Sequence, residues 1–260
     1  MFKKIKPATP STRHLFKTVK KLKKKPLLKT KIAAYNRSLG KTSGSGRIVS
    51  RHKGGGTKKK YRSLDLKRTD VVKGIVCSIE HDPFRSAFIM SIFDLNKKTF
   101  FYALAADGVK TGDSVESGIK ASINAGNCTK LGRVPVGSAV SNVPITKGRG
   151  GQLARAAGTY CFIRSHGNNG TSLIDLPSGK QSAVSSTHPV LIGKVSNPKH
   201  FLEEIGKAGR SRWIGRRPSV RGVAMNPFDH PNGGGEGKKS GPGKTPWGKP
   251  SKSGKKRPRT

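Results

Sequence analysis

Apolar and polar positions alternate in short runs through the middle of the chain and at neither end. Val, Ile, Leu and Phe concentrate between positions 71 and 205, room for two small barrels or one sandwich. A first strand is predicted at 71–79, which is β-branched and apolar. An Asp82-Pro83 turn leads to a second at 86–93 (SAFIMSIF). A third, TFFYAL at 99–104, follows Asn96 and two lysines as a hairpin partner. Asp107-Gly108 and Thr111-Gly112-Asp113 are turn signals. Short strands spaced by about ten residues predict a small all-β barrel.

A second group of strands follows. Residues 134–143 contain Pro135 and Gly137, which predicts an edge or bulged strand. Runs at 160–164 and 172–176 flank His166-Gly167-Asn168-Asn169-Gly170, where Asn-Gly fits a primed hairpin turn. Pro177-Ser178-Gly179 turns again, and 182–184 and 190–195 complete a second small barrel. One short helix is predicted at 199–205, with Asn197 as N-cap, Pro198 at the first helical position, and Gly206 and Gly209 as stops. Beyond Lys207 no periodicity remains, which marks a functional or disordered segment.

Charge divides the chain at the same places. Residues 1–64 carry 21 Lys and Arg and no Asp or Glu, and residues 205–260 carry 15 against Asp229 and Glu236. Of the net +40, the centre supplies only +6. Ends of this kind repel themselves and call for a polyanion, with nucleic acid the natural candidate. Their Lys, Gly, Pro and Ser content cannot offset ordering entropy, so both arms are expected to be disordered when free and to order on binding.

Several classes are excluded. No apolar run approaches 18 residues, so no membrane span is expected. The Lys-rich start precedes no apolar segment, which argues against a secretory signal, and it is too Lys-biased for a good transit peptide. Cys77, Cys128 and Cys161 form no CxxC pair; they read as buried small hydrophobes in a reducing compartment, with no zinc site. Gly243-Lys244-Thr245 resembles the end of a P-loop, but Lys238 stands where the first glycine must be.

Four segments combine glycine with cations. In 47–62, Arg47, Arg51, His52, Lys53, Lys58, Lys59, Lys60 and Arg62 surround Gly54, Gly55 and Gly56. Such a loop admits phosphate to backbone amides; a flexible basic linker fits the spacing equally. In 147–159, Lys147, Arg149 and Arg155 accompany Gly150 and Gly151 and favour RNA over a plain connection with a helical turn at 152–157. In 209–222, Arg210, Arg212, Arg216, Arg217 and Arg221 surround Trp213, which can stack on a base or on the protein itself. In 225–238, Met225, Asn226, His230, Gly233, Gly234, Gly235 and Lys238 form a Pro- and Gly-rich loop in which Asp229 adjoins His230. An Asp-His pair suits acid–base work, but no nucleophile or second acid accompanies it, so an RNA-processing enzyme is the weaker reading. A DNA-compacting protein would explain the tails and leave the Gly-rich loops without a role.

Read in order, RIVSRHKGGGTKKKYR (47–62), GGQLARAAGTY (150–160) and RGVAMNPFDHPNGGGEG (221–237) resemble the large-subunit ribosomal protein L2 family, uL2. DPFRS (82–86) and residues 208–221 agree, and the resemblance covers about 44–248. It implies a mainly β fold: an OB-like five-stranded barrel at 44–120, then an SH3-like barrel at 121–206. These lie between a basic arm at 1–43 and a Gly-rich extension at 207–260 that threads into rRNA. It further implies a non-enzymatic constituent of the large subunit, bound to rRNA near the peptidyl-transferase region, with roles in assembly, subunit association and tRNA placement. Implied partners are neighbouring ribosomal proteins and the small subunit, with no membrane or small-molecule substrate. No cofactor is held by its side chains alone, and Mg2+ belongs to the surrounding rRNA. The family pattern DHPHGGGEG departs here at Asn232, which removes a titratable group beside His230. The TPWG ending at 245–248 is of bacterial type, and the short tail with Lys-heavy arms points to a mitochondrial version.

Overall fold

Alternation is clearest in the strand β5 (Val72–His81), preceded in the chain by β1 (Phe2–Lys4), β2 (Phe16–Thr18), β3 (Lys31–Ile32) and β4 (Lys60–Tyr61). In β5, Val72, Gly74, Val76, Ser78 and Glu80 are buried while Lys73, Ile75, Cys77 and His81 are exposed, as a half-buried antiparallel strand requires. The computed structural model describes residues 2–18, 22, 25–28, 31–32, 40–42, 44–146, 148–236 and 243–251. The remaining strands are β6 (Phe88–Asp94), β7 (Thr99–Leu104), β8 (Ser114–Ser117), β9 (Cys128–Lys130), β10 (Ala139–Ser141), β11 (Cys161–His166), β12 (Thr171–Asp175), β13 (Gln181–Ser185) and β14 (Pro189–Ile192). Those from β5 onward join one ten-stranded sheet in the order β13-β12-β11-β10-β14-β9-β8-β5-β6-β7. Every pairing is antiparallel except β8 with β9, which meet in parallel at Ser117 and Cys128.

That junction separates two cores. Val76, Met90, Ile92, Ala103, Ala105 and Val115 fill the first. Leu131, Val140, Val143, Ile163, Ile174 and Val190 are prominent in the second. A third cluster, with Leu104, Ala106, Leu191 and Val195, lies where the halves meet. Each fully buried Ile or Leu contributes about 1.5–3 kcal/mol. The chain is thus mainly β, an OB-like barrel followed by an SH3-like one. By contacts it forms two compact units, residues 1–37 with 57–210, and residues 38–56 with 211–260; the second unit thus includes residues that lie N-terminal to the barrels.

Several local expectations need correction. The predicted strand at 134–143 shrinks to β10, which lies inside the sheet between β11 and β14 and is no edge. Pro135 and Gly137 fall in the preceding turn, where Pro135 O accepts the Ser138 N–H at 3.2 Å. The 199–205 helix is a 3-10 turn, Pro198–Leu202. Asn197 makes no cap: its backbone is left-handed (φ 64°) and its side chain donates to Ser86 O at 2.8 Å. Gly209 stops nothing, because it sits inside α1 (Ala208–Ile214). The β11–β12 hairpin closes with Gly167 N donating to Thr171 O at 2.8 Å, and of the Asn-Gly pair only Gly170 is left-handed, so the turn is not of the type I′ kind. No helical turn forms at 152–157. Cys77 is exposed; Cys128 and Cys161 are buried.

The N-terminal arm carries structure of its own. β1 pairs with β2. Phe16 exchanges backbone hydrogen bonds with Glu204, at 3.3 and 3.2 Å, and the Thr18 hydroxyl bonds the Glu203 carboxylate. Further on, Leu27 N donates to Glu80 Oε1 and to Tyr102 Oη, both at 3.0 Å. The acids that hold the arm therefore come from the central segment, which a count of charge within the arm cannot reveal.

Candidate nucleic-acid interface

In the first unit, four neighbouring cations have three different environments. Lys58 and Lys60 are exposed. Lys59 Nζ lies 6.0 Å from the centre of the Phe84 ring, which also meets Tyr61 edge-on at 5.3 Å. Arg62 points inward: it is buried, with Nε 3.9 Å from Glu80 Oε2, and its Nε and Nη1 have no hydrogen-bond partner. Glu80 also accepts from Ser78 Oγ (2.9 Å) and Tyr102 Oη (2.8 Å). Burial raises the Tyr102 phenol above its ordinary pKa, and the neighbouring Glu80 adds to this.

Around 149–155, Arg149 and Arg155 are exposed, Gly150 and Gly151 are buried, and Lys147 lies outside the described residues. Gly151 N donates to Leu66 O at 3.1 Å, and a Cβ there would collide with the Asn142 side chain. This glycine pair packs closely against the protein's own residues, Leu66 beside Gly150 and Asn142 beside Gly151. Arg210 is half-buried, and its Nη1 donates to Ile205 O at 2.9 Å.

In the second unit, Arg47, Arg51, His52, Lys53, Arg212, Arg216, Arg217 and Arg221 are all exposed. Among the described residues no ion pair involves any of them. The 52–54 and 215–217 backbones run together: Gly54 N donates to Gly215 O (3.0 Å), and Arg217 N donates to His52 O (2.9 Å). Gly56 has φ 98°, and a Cβ there would sit 3.1 Å from Trp213 O; only glycine meets both demands without strain. Gly55 faces open space. A cleft of about 650 Å³ lies alongside, lined by Lys41, Arg51, Lys53 and Arg217 with Ile48, Ser50, His52 and Pro218. It contains four cations and no carboxylate. Arg51 also lies over the exposed Trp247 ring, 5.3 Å from its centre.

The 225–236 loop folds around His230, which is buried. Its Nδ1 accepts the Asn232 N–H at 3.0 Å, so the neutral ring carries its proton on Nε2. A Cβ on Gly222 would fall 2.5 Å from His230 Cε1, and one on Gly233 would fall 2.5 Å from Met225 O. Gly234 N donates to Met225 O at 3.2 Å. Met225 is half-buried, Asn226 and Gly235 are exposed, and Lys238 lies outside the described residues. The Asp229 carboxylate is exposed and makes no hydrogen bond to the His230 ring.

Residues 28–117 match the RNA-binding N-terminal domain of ribosomal proteins L2, and residues 124–248 match their C-terminal domain. The chain belongs to the ribosomal protein L2 family. Among its relatives is the large ribosomal subunit protein uL2 of Wolbachia sp. subsp. Drosophila simulans (strain wRi), 46% identical over 257 residues, covering 97% of this chain and 93% of the relative. The uL2m protein of Reclinomonas americana is 44% identical over 257 residues, covering 97% and 92%. Membership makes the chain a large-subunit ribosomal protein with an RNA-binding domain.

Within this L2 chain, Asn232 has a local role. Its Oδ1 accepts the Lys244 N–H at 3.2 Å and its Nδ2 reaches Lys244 O at 3.5 Å, clipping the loop to the segment that carries Trp247. Sequence reading also missed Arg68, which is buried with φ 44°. It donates from Nη1 to Gly126 O (2.8 Å) and from Nη2 to Ser117 Oγ (2.8 Å), tying residues 65–70 across the β8–β9 junction. Burial lowers its pKa. No sequence signal separates it from its basic neighbours. No group of three or more His, Cys, Asp and Glu converges among the described residues. No described helix is long and apolar enough to cross a membrane.

Proposed function

We propose that the chain acts as a structural clamp on large-subunit rRNA near the peptidyl-transferase region, supporting assembly, subunit association and tRNA placement. The observation that carries this reading is the set of exposed, unpaired arginines and lysines around the 52–56 and 212–217 backbones, in an L2-family chain. Cations without carboxylate partners gain most from phosphates, whose counterions they release. The segments 1–43 and 207–260 serve as extensions along RNA, and the two barrels, which lie within 57–206, as the rigid body. Mg2+ belongs to the RNA side. Neighbouring ribosomal proteins and the small subunit are the protein partners. A mitochondrial matrix location rests on the Lys-heavy arms; the relatives include bacterial uL2 and organellar uL2m proteins alike, and fractionation with an antibody to the chain tests the location.

The experiment is affinity for large-subunit rRNA fragments as salt is raised. A log–log slope steeper than about −5 is expected for many phosphate contacts; a flat dependence refutes the clamp. The exposed Asp229 and the Nδ1 already bonded to Asn232 favour a shape-holding role for His230. Subunits with His230→Ala that assemble normally yet form peptide bonds slower by orders of magnitude would overturn it.

A further inference from the structure

We infer that the outer face of the first barrel docks a neighbouring protein through a cross-strand stripe of Ile75, Phe93 and Phe100. The register places the three side by side: Ile75 opposite Phe93 in β5 and β6, and Phe93 opposite Phe100 in β6 and β7. Phe93 and Phe100 pack with ring centres 4.8 Å apart. Ile75 is 40% exposed, Phe100 45%, and Leu95 beyond the end of β6 50%. Leu95 N donates to Lys73 O at 2.9 Å, which holds the end of β6 against β5.

The surrounding charge decides between occupants. Residues 65–116 hold seven Lys and Arg and eight Asp and Glu, a net of −1 in a chain of +40. Around the stripe, Lys73 stands opposite Glu116 in the sheet register, and Lys97 pairs with Asp70. A face meant for phosphates would not carry matched carboxylates, and the basic segments 47–62, 147–159 and 209–222 contain no Asp or Glu. An aromatic centre with a rim of mixed charge is the composition of a protein–protein interface. The partner fitted here is another polypeptide of the particle that presents an apolar side-chain cluster, with polar groups at its edge. The inference rests on the chain's place in a large subunit, not on the clamp mechanism.

The test uses full-length chain assembled into large subunits. Phe100→p-benzoylphenylalanine is expected to crosslink, on irradiation, to one defined protein in an RNase-resistant product. Phe100→Asp, and Phe100→Thr as a milder variant suited to a strand, are expected to lower that protein's occupancy at least about tenfold by quantitative mass spectrometry, the loss expected at an interface hot spot. Circular dichroism and the salt slope for rRNA should stay unchanged. A crosslink to rRNA, no crosslink, or an unchanged protein complement in both variants overturns the inference. A flat salt slope with the protein crosslink intact would instead remove the clamp and leave the docking face standing.

Discussion

Replacing Glu80 separates a structural from an RNA-binding role for Arg62. Glu80 accepts three hydrogen bonds, from Leu27 N, Ser78 Oγ and Tyr102 Oη, and supplies the only carboxylate beside buried Arg62 among the described ion pairs. Glu80→Ala leaves the guanidinium buried without a counter-charge, a loss of about 3–5 kcal/mol. In a domain of 150–250 residues each 1 kcal/mol moves Tm by about 2–4 °C, so a fall of about 6–20 °C is expected. Far-UV circular dichroism in urea is the suitable probe, because Trp213 and Trp247 both belong to the other compact unit. The double variant Glu80→Leu with Arg62→Met removes both charges and should recover most of the loss. Arg62→Met alone should lower stability yet leave the salt slope for rRNA unchanged. Two results refute this reasoning: Glu80→Ala within about 1 kcal/mol of the parent, or a slope that shrinks by about one in Arg62→Met, as removal of a phosphate contact would give.

Arg216→Ala and Arg217→Ala, both exposed, should each reduce the salt slope by about one with little change in Tm; unchanged slopes would remove them from the interface. Gly222→Ala drives a methyl into the His230 ring and should cost about 1–3 kcal/mol, read as faster amide exchange across residues 225–235. Cys77 is exposed, while burial pushes the Cys128 and Cys161 thiols up to about 11. Iodoacetamide at pH 8 should therefore label Cys77 alone until the chain unfolds, by mass spectrometry. The unfolded chain releases these protons near the ordinary value of 9 and the folded chain near 11. Stability should accordingly fall as pH rises through that window, and denaturation midpoints constant from pH 8.5 to 11 would contradict it.

The long strands were legible because their inward positions alternate: β5, β6 and β7 lie within a few residues of the predicted runs, β7 with the same bounds. β8 and β9 were not, because four and three residues of mixed polarity carry no measurable period. α1 escaped for a related reason: AGRSRWI contains a glycine, lacks an apolar stripe and buries nothing. In the candidate site, glycine density correctly signalled close approach of backbone but not its partner. Gly56, Gly151 and Gly233 each meet another stretch of this chain, a tertiary fact invisible along the sequence. Arg62 and Lys60 are likewise indistinguishable in a basic run, yet one is buried and the other exposed. The deciding residue, Glu80, lies 18 positions away from Arg62.

The placement of the carboxylates gives the charge pattern its physical sense. A protein lying against RNA gains nothing from acids on its contact surface, since each repels phosphate. The acids it retains are mostly turned to internal work. Asp82 is fully buried, accepts the Phe84 N–H at 2.9 Å and holds Arg85 Nε at 2.7 Å. Asp65 accepts the Lys67 and Arg68 N–H groups at 3.0 and 3.1 Å. Buried Asp94 takes the Asn96 N–H at 2.9 Å at the β6–β7 turn. The Glu80 and Glu203 carboxylates fasten the N-terminal arm. A carboxylate that receives charged or backbone donors contributes about 1.5–3 kcal/mol per bond, so a few of them fix the frame. The cations are then left unmatched where the frame faces outward. Exchanging Asp82 for Asn should therefore lower stability without altering the salt slope, whereas Gly55→Asp, between exposed cations, should weaken rRNA binding well beyond Gly55→Asn, which bears the same left-handed backbone (φ 64°), and leave the barrels intact. The opposite pairing of outcomes would show that acids and cations are not divided between frame and interface.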